Sequence, residues 1–316
     1  MRRVLVLGGT GWLGGRIARL AAEGGAEVTV LARGGTPPPT AARLVVGDRA
    51  HPDAYAGLDG DWDEIVDVTT DPGHVVGALD ALADRAPHWT FVSTISVYAR
   101  NDVPGADESA ELVEPVDLEQ YPDAKAAAEQ HARDRLGDRL LVVRPGLIVG
   151  AGDRTGRFGY WPARFARGGR VLVPPTAGRH VQVIDVGDLA AYVVLAGSAG
   201  VTGVVNAVGD AAPFAEVLAA CARAADFDGE LVERDEEWLL ARDVAHWAGP
   251  RSLPLWLPPT HVGMMARSNA RFHATGGTLR PLAETLAEVL ADERARGLDR
   301  ERPAGLALEE ERGLLA

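Results

Sequence analysis

The chain has 316 residues, 47 % apolar and 24 % charged, a globular balance that suits one large domain and a smaller lobe. Its net charge of −13 repels phosphate backbones and anionic lipid, so nucleic acid and membrane surfaces are not expected partners. One cysteine, Cys221, excludes an intrachain disulfide and a cysteine-built zinc site; no metal is expected. With no signal core and no apolar run of spanning length, the expectation is a cytoplasmic protein.

Arg3-Val-Leu-Val-Leu7 reads as a buried strand that runs into glycines. Trp12 to Glu23 then carries apolar residues at helical spacing, and Glu27 to Leu31 reads as a second strand. Strands follow at Leu44–Val46, Glu64–Val68, Trp89–Ser93 and Arg139–Val143, with helices at His74–Arg85 and Asp123–Leu136. This alternation predicts an α/β fold, a doubly wound, mostly parallel Rossmann sheet covered on both faces.

Beyond Pro145-Gly146 the pattern loosens into glycine, proline and tryptophan. Val181–Ile184 and Val204–Ala207 read as strands returning to the main sheet, with a helix capped by Asp188 between them. From about Pro213 the chain reads as mostly helical, and Pro281 opens a last amphipathic helix through Ala295. The division expected is a nucleotide domain over 1–150 and about 181–210, and a smaller, mostly helical lobe over 151–180 and 211–300. Residues 301–316 read as a loosely held charged tail.

Gly8, Gly11 and Gly14 form a G-x-x-G-x-x-G between strand and helix. Such glycines permit a tight turn, a close approach of diphosphate to the backbone and close helix–strand packing, with helix-start amides as donors. Thr10, Trp12 and Leu13 lie in the same turn. At the end of the second strand, where a carboxylate would bind the NAD ribose, Ala32 and Arg33 stand instead. An arginine there pairs with a 2′-phosphate, so NADP(H) is favoured over NAD(H). Asp48 either accepts from the adenine amine or caps the next turn.

Tyr121-Pro-Asp-Ala-Lys125 places a phenol and an ammonium four residues apart on one helix face. A nearby cation favours phenolate, and the pair can then move a proton at a substrate oxygen. Lys125 is the only lysine among 32 basic residues. The hydroxyls of Thr94 and Ser96 fall at the carboxyl edge of the fifth strand, where ligands bind such sheets. His180 and Trp161 are weaker substrate-side candidates; loop placement and core packing compete with that role.

Together these residues resemble the extended, epimerase/dehydratase-like branch of the short-chain dehydrogenase/reductase superfamily over about residues 3–210. Arg144-Pro145-Gly146 with Leu147 and Ile148, and Val183 to Ala190, also resemble its segments. The resemblance implies catalysis by Thr94, Tyr121 and Lys125, and cofactor contacts from Val68, Thr69, Pro145, Gly146 and Ile148. It implies hydride transfer between nicotinamide and a small-molecule carbonyl or alcohol. Rival readings are a nucleotide-sugar epimerase or dehydratase that retains NAD, and a non-catalytic NADP sensor; a homodimer is expected by analogy. Asp67-Val-Thr-Thr70 departs from the family's Asn/Ala-rich motif.

Overall fold

The protein is described from a computed structural model covering residues 1–39 and 41–316. Strand β1 (Arg3–Leu7) feeds helix α1 (Trp12–Glu23), which returns the chain to β2 (Glu27–Ala32) and β3 (Ala42–Val46). After β4 (Glu64–Asp67), Asp71 accepts from the Gly73 amide and starts α2 (Pro72–Leu82); β5 (Trp89–Val92), α3 (Tyr121–Leu136) and β6 (Leu140–Pro145) follow. A short β7 (Leu147–Val149) leads to α4 (Arg157–Ala166), β8 (Arg170–Val173), β9 (His180–Val181) and β10 (Val183–Asp185). Helix α5 (Val186–Ser198) then delivers β11 (Gly203–Ala207).

The main sheet has seven parallel strands in the order β11-β6-β5-β4-β1-β2-β3. The doubly wound fold expected from the alternation is therefore present. Leu5, Leu7, Ile65, Phe91 and Val142 face α2 and α3 on one side. Val4, Val6, Val66, Val92 and Val143 face α1 and α5 on the other, which is why the strands read as continuous apolar runs. The strand order reverses between β1 and β4, and a ligand crevice is expected outside the carboxyl ends there.

The remaining chain forms β12 (Ala212–Pro213), α6 (Phe214–Ala224), β13 (Glu230–Glu233), α7 (Glu236–Leu240), β14 (Ala245–Trp247) and β15 (Ser252–Pro254). Helices α8 (Ala270–Ala274), α9 (Leu282–Arg296) and α10 (Leu308–Leu315) follow. A separate apolar core joins α4, α6 and α9 through Phe158, Trp161, Phe165, Phe214, Leu218, Val289 and Leu290.

Several expectations are corrected. β9 and β10 do not join the main sheet: β10 pairs with β7 and β9 with β12, so of the two predicted returns only β11 arrives. Asp185, not Asp188, caps α5, accepting from the Gly187 amide, while Asp188 binds Arg280 at 2.8 Å. Between α6 and α8 the chain is less helical than expected: short strands and turns surround the five-residue α7. The charged end of the chain is not loose either. α10 inserts Glu311 into the second core, where its carboxylate accepts from Arg164 Nε and from the Leu172 amide. Charge misled here because the glutamate has a buried arginine waiting for it.

Candidate functional site

A cleft of about 1150 Å³ opens over the carboxyl ends of the strands. Gly8, Thr10, Gly11, Trp12, Leu13, Gly14, Arg33, Asp48, Val68, Thr69, Thr94, Ser96, Tyr121, Lys125, Pro145, Gly146 and Ile148 all line it. The glycine turn is built for close approach. Gly8 sits at φ +89°, and a Cβ on Gly14 would lie 2.4 Å from the Gly8 carbonyl oxygen. Gly11 begins α1 with no side-chain cap, so the first-turn amides face the cleft unshielded. That cradle fits a dinucleotide diphosphate.

At the adenosine end Arg33 is exposed and, among the described residues, makes no ion pair. Asp48 lines the cleft and also accepts from the Ala50 amide at 3.1 Å, so both readings of it stand. Sequence reasoning missed Arg49. Its guanidinium clamps Asp67 at 2.8 and 2.6 Å and donates to the Tyr55 hydroxyl and the His74 carbonyl. Asp67, the residue that breaks the family motif, is thus neutralised by Arg49 and turned away from free use.

Helix α3 presents the phenol and ammonium. Lys125 is 2 % exposed, and its Nζ donates to the Val92 carbonyl at 2.6 Å and the Thr69 carbonyl at 2.7 Å. An ammonium has three donors, so one remains for the cleft. Burial pushes the Lys125 ammonium down to about 8, against the opposing pull of Asp67 and Glu129. Tyr121 keeps 46 % of its surface open. Burial of its hydroxyl pushes the phenol up, against the opposing influence of the nearby Thr94 hydroxyl and the charge of Arg157.

Thr94 lies beyond the end of β5, where Ile95–Val97 winds into a 3-10 turn rather than extending the strand. Its Oγ1 accepts from the Ser96 amide and donates to the Ser96 hydroxyl, both at 3.2 Å. The two hydroxyls are therefore partners, and both line the cleft with Tyr121.

Trp161 and His180 are not brought to the cleft. Trp161 is fully buried in the second core and donates to the Pro254 carbonyl at 2.7 Å. His180 belongs to the β9–β12 ribbon, opposite Pro213. The cleft's outer wall is instead made by Arg157, Trp247 and Met264. Trp247 adopts φ 68°, a left-handed conformation that costs a residue with a Cβ roughly 1–2 kcal/mol. Arg157 stands over its ring at 5.1 Å. Arg157 carried no motif, so only three-dimensional proximity to Tyr121 finds it.

A family model described as "NAD dependent epimerase/dehydratase family" matches residues 4–209, well over half of the chain. Among curated proteins none matches at a significant level. Solved structures share the fold. A UDP-N-acetylglucosamine 4-epimerase from Bacillus cereus superposes with TM-score 0.70 at 18 % identity, over 95 % of this chain and 99 % of that one. A UDP-glucose 4-epimerase from Thermus thermophilus, in complex with NAD, gives 0.65 at 17 % identity, over 93 % and 100 %. RMD from Pseudomonas aeruginosa, complexed with NADPH, gives 0.65 at 20 % identity, over 94 % and 100 %.

Proposed function

Because the chain belongs to the NAD dependent epimerase/dehydratase family, we propose that it is a nicotinamide-dependent oxidoreductase acting on a small-molecule alcohol or carbonyl. The observation that carries this is the convergence of Thr94, Tyr121 and Lys125 on the cleft that the glycine turn opens. When bound there, the nicotinamide supplies or accepts a hydride. The chain's task is the accompanying proton. Tyr121 holds or releases it at its phenolic oxygen, and Thr94, beside it in the cleft, polarises the same substrate oxygen. Lys125, fixed by two main-chain carbonyls, offers its remaining N–H to the ribose hydroxyls. Gly8, Gly11 and Gly14 hold the diphosphate, and Val68, Pro145, Gly146 and Ile148 shape the floor beneath the ring. Arg33, without a carboxylate among the described residues, favours a 2′-phosphate and hence NADP(H).

A second reading, an epimerase or dehydratase that keeps its cofactor between turnovers, is supported by the family match. Exchange separates the two. Protein purified without added nucleotide is denatured and the supernatant is assayed for nicotinamide, and native protein is mixed with NADPH. Empty protein that binds NADPH reversibly supports the reductase reading; stoichiometric, non-exchanging NAD supports the second; protein that neither carries nor binds either nucleotide sinks both.

A further inference from the structure

Most buried arginines of this acidic chain already hold a carboxylate. Arg49 pairs with Asp67 at 2.6 Å, Arg144 with Glu129 at 2.6 Å, and Arg164 with Glu311. Arg157, half-buried at the cleft, holds none. It lines the cleft with Tyr121, yet among the described residues no carboxylate lies within ion-pair distance. Among the described residues its side chain makes one hydrogen bond, from Nε to the Thr155 hydroxyl at 3.3 Å. Asp153, the nearest acid in sequence, lies beyond ion-pair distance and accepts from the Thr155 amide at 2.8 Å and the Thr155 hydroxyl at 2.9 Å, so its charge acts on Arg157 without a direct pair.

The second observation is Trp247. Its backbone is held in the left-handed region, with its amide donating to the Trp256 carbonyl at 3.0 Å. Strained conformations persist where the surrounding structure imposes them, and they gather at ligand sites. Here the result is an indole that carries the Arg157 guanidinium carbon at 5.1 Å. The indole face places the guanidinium, and Nη1 and Nη2 have no partner among the described residues.

We propose that Arg157, seated on Trp247, is the residue that selects the substrate: it binds a carboxylate carried close to the carbon whose oxygen meets Tyr121. Two parallel donors in one plane match the two oxygens of a carboxylate. A substrate so held approaches Tyr121 and Thr94 in one orientation, which a neutral sugar hydroxyl could not enforce as strongly. The substrate class is then a hydroxy acid, a keto acid or a sugar acid. The inference rests on Tyr121 and Thr94 being the proton-transfer pair.

The test uses malonate as probe, with malonamide as its uncharged counterpart and inorganic phosphate as a competitor. Each is titrated into cofactor-saturated and cofactor-free protein, following tryptophan fluorescence and heat. Wild type is expected to bind malonate saturably, and at least about tenfold tighter than malonamide. Arg157→Gln is expected to weaken malonate at least about tenfold while leaving the NADP(H) dissociation constant unchanged, and Arg157→Lys to recover part of the loss. Equal malonate binding in wild type and Arg157→Gln overturns the proposal, as does malonamide binding as well as malonate. Arg157-dependent phosphate binding that exceeds malonate binding overturns the carboxylate assignment. Failure of wild type to bind cofactor strikes the proposed function instead, and the cofactor-free titrations still read the role of Arg157.

Discussion

The indole N–H of Trp12 donates to the Ala151 carbonyl at 2.9 Å, and Arg16 donates to the same oxygen at 3.0 Å. The helix whose first turn faces the cleft is thereby tied to the loop that leads to Arg157. On its far side the loop is held by α9: the Gly152 amide donates to Asp292 at 3.2 Å, and Arg296 donates to the Asp153 carbonyl at 2.7 Å. Trp12→Phe keeps the ring and removes the donor. We expect faster amide exchange across residues 151–156 and a raised KM for substrate. Unchanged exchange would show that the tie does not restrain the loop.

The proton-transfer assignment is tested by three variants. Tyr121→Phe is expected to lower turnover by about 10²–10⁴-fold while still binding cofactor. Thr94→Val should also lose turnover, because it keeps the shape and removes a hydroxyl that shares the cleft with Tyr121. Ser96→Ala should lose much less, since Ser96 bonds to Thr94. A crippled Ser96→Ala beside an active Thr94→Val would reverse the two roles.

Lys125 can be observed alone, because the chain has no other lysine. In protein labelled at lysine, one side-chain resonance is expected to titrate near 8. The sign of its effect on folding follows. The folded value lies below that of a free lysine, about 10.4, so between the two the unfolded chain binds the extra proton and stability rises with pH. Affinity for cofactor is expected to move the other way, falling as the pH passes about 8 and the ammonium proposed to bind the ribose is lost. Lys125→Met should remove both slopes. Titration at the free-lysine value would mean that burial does not govern this group.

Arg33→Ala is expected to weaken NADP(H) at least about tenfold and leave NAD(H) nearly unchanged, since a 2′-phosphate is the only part of the pair that differs. Calorimetric titration of both nucleotides decides it. Equal losses for the two would place Arg33 outside the 2′ site.

Glu311→Ala strips a buried arginine of its carboxylate. Removing one partner of a buried pair costs roughly 3–5 kcal/mol, and Arg164 keeps main-chain partners at Gly168 and Arg170, so the low end is expected. Denaturant titration measures it, and Arg164→Met with Glu311→Leu should recover much of the loss. A loss within about 1 kcal/mol, the scale of surface pairs, would show the pair to be dispensable.

The nucleotide half of the molecule was legible because its signals are local. A glycine at a given place in a turn, or a phenol four residues before an ammonium, states its geometry within a few positions, and β1, α1 and β11 fall close to where the pattern puts them. The lobe was less so. β9 and β10 carry ordinary strand residues, and nothing in them says which partner they will pair with. Trp161 and Trp247 have the same side chain; one fills a core and the other walls the cleft, a difference set by elements far away in sequence. Arg157 is one arginine among many until Tyr121 is seen beside it.

The Glu311–Arg164 contact also bears on how the protein is made. Arg164 leaves the ribosome 147 residues ahead of its partner. At about 5–20 residues per second, the guanidinium waits on the order of ten seconds for a counter-charge. The last strand of the sheet, β11, is synthesised inside that interval, so the sheet can close while the lobe is still incomplete. The helix that carries Arg157 is therefore the part of the cleft that settles late, after the glycine turn and the Tyr121 helix already have their places in the sheet.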